Sequence, residues 1–393
     1  MISHFFKIIW NQRRKNTFLI LELALSFLVV CGVFTFAFKQ IKKLQVEDGF
    51  QTENIYVVSL SMQELENDSI VHHRTKERLK AEILALPEVK NASYSSEVTP
   101  YGDSRWITGN GDGDENGFAY KTDYILCDEN YDEVWQPHFK EGKFFNTEDL
   151  IDKYTPIVVS QKFVDQFLKD TTALGFSFQM QDNNVKIVGI LDHFKFQGKF
   201  EEEIPVALLP LSTQWENLSA LTIAIQPGSA KTALKSIYDV VAKVTKNFDF
   251  KIKNIDMARR HKSKSGWIPI ISLFCISLFL VINIAMGLFG ILRYNISRRR
   301  PEIGLRKALG ASAKYIRLQF MGEMMVITTM ALSIGMIFAI QLPLLDVLLT
   351  DSMVYGWAIL TSLVLIYGIV AICSFFPSHH AAQVEAATAL HEE

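Results

Sequence analysis

The sequence predicts an α-helical membrane protein with four transmembrane helices and a large extracytoplasmic α+β domain between the first and the second helix. Four apolar runs each reach the roughly 20 residues that a helix needs to cross a hydrocarbon core. The mean hydropathy of the 393-residue chain is +0.14, which is too apolar for an ordinary soluble protein. Residues 39–266, more than half of the chain, contain no such run and show strand and helix patterns instead.

The four predicted spans are residues 17–38, 267–292, 320–346 and 354–376. The first span resembles a signal peptide in position only. It is longer than the apolar region of a signal peptide, which has about 7–15 residues, and no A-x-A-like cleavage site follows it. We therefore expect this span to remain as an anchor.

The placement of Lys and Arg predicts the orientation, since cytoplasmic segments carry the excess of positive charge. The opening amphipathic segment, residues 1–16, and the segment between spans two and three, residues 293–319, are rich in Lys and Arg, whereas the short outer loop at 347–353 has none. We therefore expect a multi-pass inner-membrane protein with both termini cytoplasmic, including a tail at 377–393, and with the large domain periplasmic or otherwise extracytoplasmic. Four cations ahead of the second span run against the rule: Arg259, Arg260, Lys262 and Lys264.

The segment 39–266 alternates between short strands and amphipathic helices. The predicted elements are a strand at 54–60, a helix at 69–86, strands in "RWITG" and "FAYKTDYIL", a strand and then a helix across 155–169, a hairpin turning at 182–184, and a helix in "ALKSIYDVVAKVTKNF". Its only cysteine is Cys127, so no disulfide can form within it. It carries no nucleophile motif and no phosphate-binding loop, and we expect no catalytic residues.

One stretch of this domain matches the spacing of a calcium-binding loop. In "DGDENGFAYKTD" the candidate ligands are Asp112, Asp114, Asn116 and Asp123. A calcium loop of this type needs a helix on each side, whereas the flanking residues here have strand patterns. The favoured interpretation is therefore a polar hairpin turn, because Asp, Asn and Gly are the usual turn residues. We expect no other metal site.

The segment between spans two and three, "SRRRPEIGLRKALGAS", is the most basic part of the chain. As one helix over 302–317, it places cations on one face and aliphatic side chains on the opposite face, with Gly310 as the weak point. The cations are Arg306, Lys307, Lys314 and Arg317, and the aliphatic residues are Leu305, Leu309 and Ile316. The pattern fits a helix lying on anionic lipid headgroups, and it also fits a docking helix for a cytoplasmic partner.

Three polar residues fall inside predicted spans: Glu22, Asn283 and Glu323. We expect Glu22 and Glu323 to form an interfacial ion-pair cluster with Arg293 and Arg317, and proton coupling is the alternative. We expect Asn283 to form a hydrogen bond with a neighbouring helix.

The basic segment closely resembles the signature of MacB/FtsX-like permeases of ABC transporters, R-x-x-E-I-G-x-R-x-A-x-G-A after the second span. The resemblance extends to Glu323 in "LQFMGEMMV", to "KEGKFFNTEDL" and "VKIVGILDHFKFQGKFEEEIP" in the outer domain, and to the tail "FFPSHHAAQVEAATAL". The tail departs from the family pattern at Ala386, where the family has a proline.

The resemblance implies a permease subunit that contacts an ABC ATPase through Arg300, Glu302, Gly304, Arg306, Lys307, Ala308 and Gly310. The sequence lacks a G-x-x-x-x-G-K-[ST] loop, and only about 16 residues precede the first span, so we expect a separate ATPase subunit that binds ATP and Mg²⁺. The family works by mechanotransmission, in which ATP-driven dimerisation moves the outer domains.

The resemblance predicts efflux of peptides, drugs or other amphiphiles from the periplasm. A lipoprotein-releasing permease, an FtsX-like regulator of a cell-envelope enzyme and a sensor without an ATPase remain alternatives. The expected partners are the lipid bilayer, the cytoplasmic ABC ATPase and a second permease, identical or paralogous. A periplasmic adaptor and an outer-membrane channel remain open. We expect no nucleic-acid partner.

Overall fold

The chain forms two compact units in a computed structural model. The membrane unit contains the chain up to Lys42 and from Trp267 onward, and the outer domain is Lys43–Gly266. The structure describes residues 13–60, 69–111, 118–146, 153–169, 172–180, 183–211, 218–245, 249–345, 347–348 and 350–383.

Ten helices lie in the described part of the chain. They are α1 (Arg13–Gln45), α2 (Ser69–Leu84), α3 (Tyr131–Trp135), α4 (Gln161–Phe167), α5 (Ala230–Thr245), α6 (Ile255–Arg298), α7 (Arg300–Ala308), α8 (Ala313–Ala339), α9 (Gln341–Leu344) and α10 (Ser352–Gln383). Helices α1, α6, α8 and α10 belong to stretches long and apolar enough to cross a membrane, as the sequence predicts. At 1.5 Å per residue, the 44 residues of α6 extend for about 66 Å.

The described residues of the outer domain form one sheet of eleven strands. They are β1 (Ile55–Leu60), β2 (Val89–Ser96), β3 (Ile107–Asn110), β4 (Tyr120–Cys127), β5 (Phe139–Gly142), β6 (Thr155–Ser160), β7 (Ser177–Met180), β8 (Asn183–Leu191), β9 (Val206–Pro210), β10 (Leu218–Ile225) and β11 (Phe250–Asn254). The strand order is β11-β1-β10-β2-β4-β9-β6-β8-β5, with β3 paired to β4 and β7 paired to β8. The pairs β4–β9 and β6–β8 are parallel, and the other pairs are antiparallel.

Both faces of this sheet are buried around its central strands. Along β1, Ile55 and Val57 enter one apolar cluster, while Val58 and Leu60 enter another. The second cluster also contains Leu79 of α2 and residues of α5. This alternation is the two-residue period of a strand, and it explains why β1 is apolar on both faces.

Two details of the predicted outer domain are wrong. Helix α2 ends at Leu84, two residues before the predicted end. In the hairpin, Met180 pairs with Asn183, so Asn183 and Asn184 belong to β8 and not to the turn. The strands β2, β5, β9, β10 and β11 add to those that the sequence predicts.

The four long helices of the membrane unit share one apolar core. It includes Leu23 and Phe27 of α1, Leu288 of α6 and Phe320 of α8. Close approach depends on a glycine, because a Cβ at Gly335 of α8 would lie 2.7 Å from the Phe27 ring.

The cations ahead of the second span lie within the outer domain, on the first turns of α6. Arg259 donates to the hydroxyl of Thr52, Arg260 pairs with Asp256 at 2.8 Å, and Lys262 donates to the carbonyl of Gly102 at 2.6 Å. Arg259 and Lys262 thus bond to other parts of the outer domain, which gives these two cations a structural role ahead of the second span.

Candidate coupling segment

The basic segment forms the short helix α7, which lies between α6 and α8 in the chain. Pro301 occupies its first turn, where a missing N–H costs nothing, and Glu302 lies beside it at the positive end of the helix dipole. The next helix begins with its own cap, because the Ser312 hydroxyl accepts a hydrogen bond from the Tyr315 amide at 3.3 Å.

The prediction of one helix over 302–317 is wrong. The helix ends before Gly310, which has a φ of +94°. This value lies in the left-handed region, which glycine adopts without steric cost. Lys314 and Arg317 therefore belong to α8, and the single cationic face does not form. The break coincides with the residue that the sequence marks as the weak point.

The inner face of α7 packs against the start of the third span. Ile303 and Gly304 are buried, and Ile303 shares the membrane core with Ile316 and Phe320 of α8. Gly304 belongs to the matched signature, and its burial against this surface is a sufficient reason for a glycine there. The apolar face of α7 thus fixes the helix to α8.

Five polar side chains then connect α7, α8 and the end of α6: Arg299, Glu302, Arg306, Gln319 and Glu323. We call this set the polar bridge. The Arg306 guanidinium donates to Glu302 Oε1 at 2.6 Å and to Gln319 Oε1 at 2.5 Å. Gln319 donates to Glu323 Oε1 at 3.5 Å, and Arg299 donates to both oxygens of Glu323 at 3.0 and 3.1 Å. Charge-assisted bonds of this kind hold the helices in register.

The outer face of α7 is apolar and exposed. Leu305 is 55% exposed and Leu309 is 80% exposed. Residues four positions apart lie on the same side of a helix, so these two side chains form one patch. Ala308 and Gly310 are exposed as well, whereas Arg306 faces the polar bridge. Arg300 and Lys307 each interact with other residues.

The polar residues within the spans do not form the predicted cluster. Glu323 pairs with Arg299, which the prediction omitted, and Arg317 lies over the ring of Phe375 at 5.3 Å. The Glu22 carboxylate lies 3.5 Å from the Cβ position of Gly287 on α6.

The prediction for Asn283 is wrong, because its amide donates at 2.8 Å to the carbonyl of Phe279 in its own helix. The Asn283 side chain is exposed.

One member of the candidate calcium loop lies in the described residues. Asp123 is a buried residue of β4, and its two oxygens accept from Arg105 Nε at 2.7 Å and Nη2 at 2.9 Å. Asp112, Asp114 and Asn116 lie outside the described residues.

Family models cover both parts of the chain. The model "MacB-like periplasmic core domain" matches residues 17–237, and the model "FtsX-like permease C-terminal" matches residues 274–386. The chain belongs to the MacB/FtsX-like permease family. The predicted family and fold class are therefore confirmed. As a MacB/FtsX-like permease with four apolar helices, the chain fits a protein of the inner membrane.

Curated relatives of this permease include proteins named "Macrolide export ATP-binding/permease protein MacB". The protein from Chlorobium phaeobacteroides is 25% identical over 235 residues, which is 56% of this chain and 35% of the relative. One from Yersinia pestis is 30% identical over 148 residues, 37% of this chain and 22% of the relative. The chain thus spans about a third or less of the length of these two relatives.

Among solved structures, the periplasmic region of MacB from Actinobacillus actinomycetemcomitans aligns with 56% of this chain and 98% of its own. The TM-score is 0.39 and the identity 13%. The extracellular domain of the transporter YknZ, from Gram-positive bacteria, aligns with 51% of this permease and 100% of its own chain. Its TM-score is 0.37 and its identity 12%.

Two members of the polar bridge of this permease escaped the sequence analysis. Gln319 lies one helical turn before Glu323, so helical spacing alone could have indicated the contact. Arg299 is the first arginine of the signature when it is aligned on Glu302, so the motif could have indicated it, but the predicted contact set named its neighbour Arg300 instead.

We expect Gly310→Ala to destabilise the membrane unit by about 1–2 kcal/mol, because a side chain is disfavoured in the left-handed conformation. A Cβ at Gly310 would meet no atom within 4 Å, so the loss of stability would come from the backbone conformation and not from a clash. Thermal unfolding of the detergent-solubilised protein measures it. The control is Gly290→Ala, which adds the same atom in open space on α6 and lacks a positive φ. An equal Tm for both variants would contradict the prediction.

Proposed function

We propose that this permease transmits the ATP-driven motion of a separate cytoplasmic ABC ATPase across the membrane to its outer domain. The observation that carries the proposal is an exposed apolar pair, Leu305 of α7 and Leu309 directly after its last residue. The opposite face of this helix packs against the third span. Such a helix has a free apolar surface for a partner and a rigid connection to the bilayer-crossing part.

The polar bridge supports this role. A docking helix transmits a push only if it moves together with the span behind it. Arg306 bonds Gln319 across the break at Gly310, and Ile303 packs on Ile316. Arg299, the residue that directly follows α6, pairs with Glu323 of α8 and so connects the second long helix to the third. A displacement of α7 is therefore passed to two membrane-crossing helices.

An apolar pair on a helix face is a common anchor for a groove on a partner protein. Leu305 and Leu309 are exposed on the isolated chain, and covering a leucine by a partner contributes about 1.5–3 kcal/mol. We therefore propose that the ATPase covers this pair, with Arg300 and Glu302 at the rim.

The names of the curated relatives combine ATP binding and permease in one protein. In this system we assign ATP and Mg²⁺ to the partner ATPase and the transmission to this chain, with α7 and both termini in the cytoplasm. We propose efflux of peptides, drugs or other small amphiphiles as the transported class. A second permease, identical or paralogous, completes the pair that the ATPase drives, and an adaptor and an outer-membrane channel extend the route in a two-membrane envelope.

The test is retention of an ABC ATPase by the tagged permease from native membranes, with the bound protein identified by mass spectrometry. The variant is Leu305→Asp/Leu309→Asp. The matched control is Leu234→Asp/Tyr238→Asp, another exposed apolar pair four residues apart, on α5 of the outer domain. We expect the α7 variant to retain less than about one tenth of the ATPase that the wild type retains, as is typical for a hot-spot pair.

The control should retain the same amount of ATPase as the wild type. Retention of no ABC ATPase by the wild type would overturn the proposed function. Equal retention by the wild type and the α7 variant would show that the partner uses another surface. Both variants should be extracted from the membrane in equal amounts, which shows that they are inserted.

A further inference from the structure

The segment 192–205 of the outer domain is irregular, yet much of it is buried. It connects β8 to β9, and we call it the clasp loop. Phe194, Lys195 and Phe196 are all nearly inaccessible to solvent. Connecting segments normally run over the surface, because their backbone groups need partners. A buried loop with a buried lysine therefore requires a specific explanation.

Lys195 bonds to the end of the first long helix. Its ammonium donates to the carbonyl of Lys43 at 2.8 Å and to the carbonyl of Lys199 at 3.0 Å. Lys43 lies in the last turn of α1, where main-chain carbonyls lack a partner within the helix and the dipole is negative. Lys195 thus caps α1 from a distant part of the chain. Burial lowers the pKa of this ammonium, so these bonds compensate a real desolvation cost.

The same loop contacts the long helix that leaves the domain. The ring of Phe200 lies so close to Gly266 of α6 that a Cβ there would be 2.1 Å from the ring. A Cβ added at Gly198, which has a φ of +136°, would lie 3.9 Å from the Lys262 side chain. Any side chain at Gly266 would push the ring away, so this contact is backbone against ring.

The clasp loop is also fixed to the sheet. It follows β8 and leads directly into β9, and its backbone forms hydrogen bonds with two neighbouring segments. The amide of Lys195 donates to the carbonyl of Asp48 at 3.0 Å, and the amide of Tyr101 donates to the carbonyl of Phe196 at 2.7 Å. The rings of Phe50 and Phe194 pack with centroids 5.0 Å apart. A force on the loop therefore reaches the domain core.

We propose that the clasp loop is the element through which α1 and α6 together drive the outer domain. Lys195 is the positioning residue for α1, and Phe200 is the positioning residue for α6. This inference rests on the proposed function, since it names the point at which the transmitted motion enters the domain. Helix α6 already follows β11 without a gap, so the loop adds a second connection between α6 and the sheet and ties α1 to the same segment.

The first experiment needs no partner. Amide hydrogen exchange is measured on the full chain in lipid nanodiscs for the wild type, Lys195→Met and Phe200→Ala. The control is Lys199→Met, the same chemical change in the same loop at a half-buried side chain. We expect Lys195→Met to speed exchange at the last turn of α1 and at Tyr101 by about tenfold or more. The control should leave both sites unchanged.

The second experiment adds the ATPase that the permease retains, with ATP and vanadate to hold the closed state. In the wild type, the nucleotide should change the exchange of residues 192–205. In Lys195→Met and Phe200→Ala this change should disappear, while ATPase retention and ATP hydrolysis remain. A nucleotide-dependent change of wild-type size in both variants would overturn the inference, as would its absence in a wild type that binds the ATPase.

Two further outcomes distinguish a failure of this inference from a failure of the proposed function or of folding. If the wild type retains no ATPase, the proposed function has failed, and the transmission role of the loop fails with it. The first experiment still decides whether Lys195 holds α1. If Lys195→Met unfolds the domain, Cys127, which is buried and free, becomes reactive toward thiol reagents. Phe200→Ala then carries the test, with the same outcomes.

Discussion

Replacing Asp128 with alanine should destabilise the outer domain by about 3–5 kcal/mol, the usual cost of removing one partner from a buried charge pair. Asp128 is only 5% exposed. Its carboxylate accepts from Lys80 at 2.7 Å, from the Ser93 hydroxyl at 2.6 Å and from the Tyr94 amide at 2.8 Å. The Asn130 amide donates to this carboxylate as well, at 3.2 Å. Alanine leaves all four donors without this acceptor, and the Lys80 ammonium retains its bond to the Asn130 side chain.

The labelling rate of Cys127 measures this loss in the intact protein. Cys127 is the only cysteine of the outer domain and is buried, so a thiol reagent reaches it when the domain opens. Since 1.36 kcal/mol corresponds to a factor of ten, we expect labelling to be about 100-fold faster or more. Asp239→Ala, at an exposed site on α5, is the control and should change little. An unchanged rate in Asp128→Ala would contradict the prediction.

The second large effect is expected at Glu323, where alanine should destabilise the membrane unit by about 2–3 kcal/mol. The side chains of Arg299 and Glu323 are 22% and 13% exposed, so the pair is more shielded than a surface ion pair but less than Asp128. Without Glu323, Arg299 loses both of its carboxylate bonds and Gln319 loses an acceptor. The polar bridge would then be interrupted where it joins α6 to α8.

A double-mutant cycle tests this prediction. Arg299→Met/Glu323→Ala should recover most of the stability lost in Glu323→Ala, because no unpaired charge remains. Thermal unfolding in detergent, followed by helical circular dichroism, gives the four values of the cycle. Arg298→Met is the control, since Arg298 is the preceding residue and is exposed. If Glu323→Ala melts like the wild type, the pair contributes nothing to the fold.

The sequence was sufficient to place the four long helices, because a run of about 20 apolar residues has few alternatives. It was weaker for the outer sheet. Strand β2, "VKNASYSS", was missed because Ser93, Ser95 and Ser96 are fully buried, so its core faces lack the apolar pattern of a strand. Tertiary contacts with β10 and β4 fix that strand.

The coupling segment shows a second limit of sequence analysis. A matched signature located α7, and the glycine at position 310 indicated a weak point, but helical periodicity alone could not decide that the helix ends there. Long-range partners are harder still. Lys195 lies 152 residues from the carbonyl it caps, and a lysine in a loop is normally exposed. Nothing in the local pattern predicts that this lysine is buried.

The first and last strands of the outer domain are neighbours, since β1 pairs with β11 from Tyr56↔Asn254 to Leu60↔Phe250. The sheet region between Ile55 and Asn254 therefore begins and ends on adjacent strands, which is the geometry of a domain inserted into a host protein. Such a cassette can be exchanged for one of another size or specificity without changing the number or order of the spans. The inserted domain can thus diversify in evolution while the membrane helices that carry it stay the same.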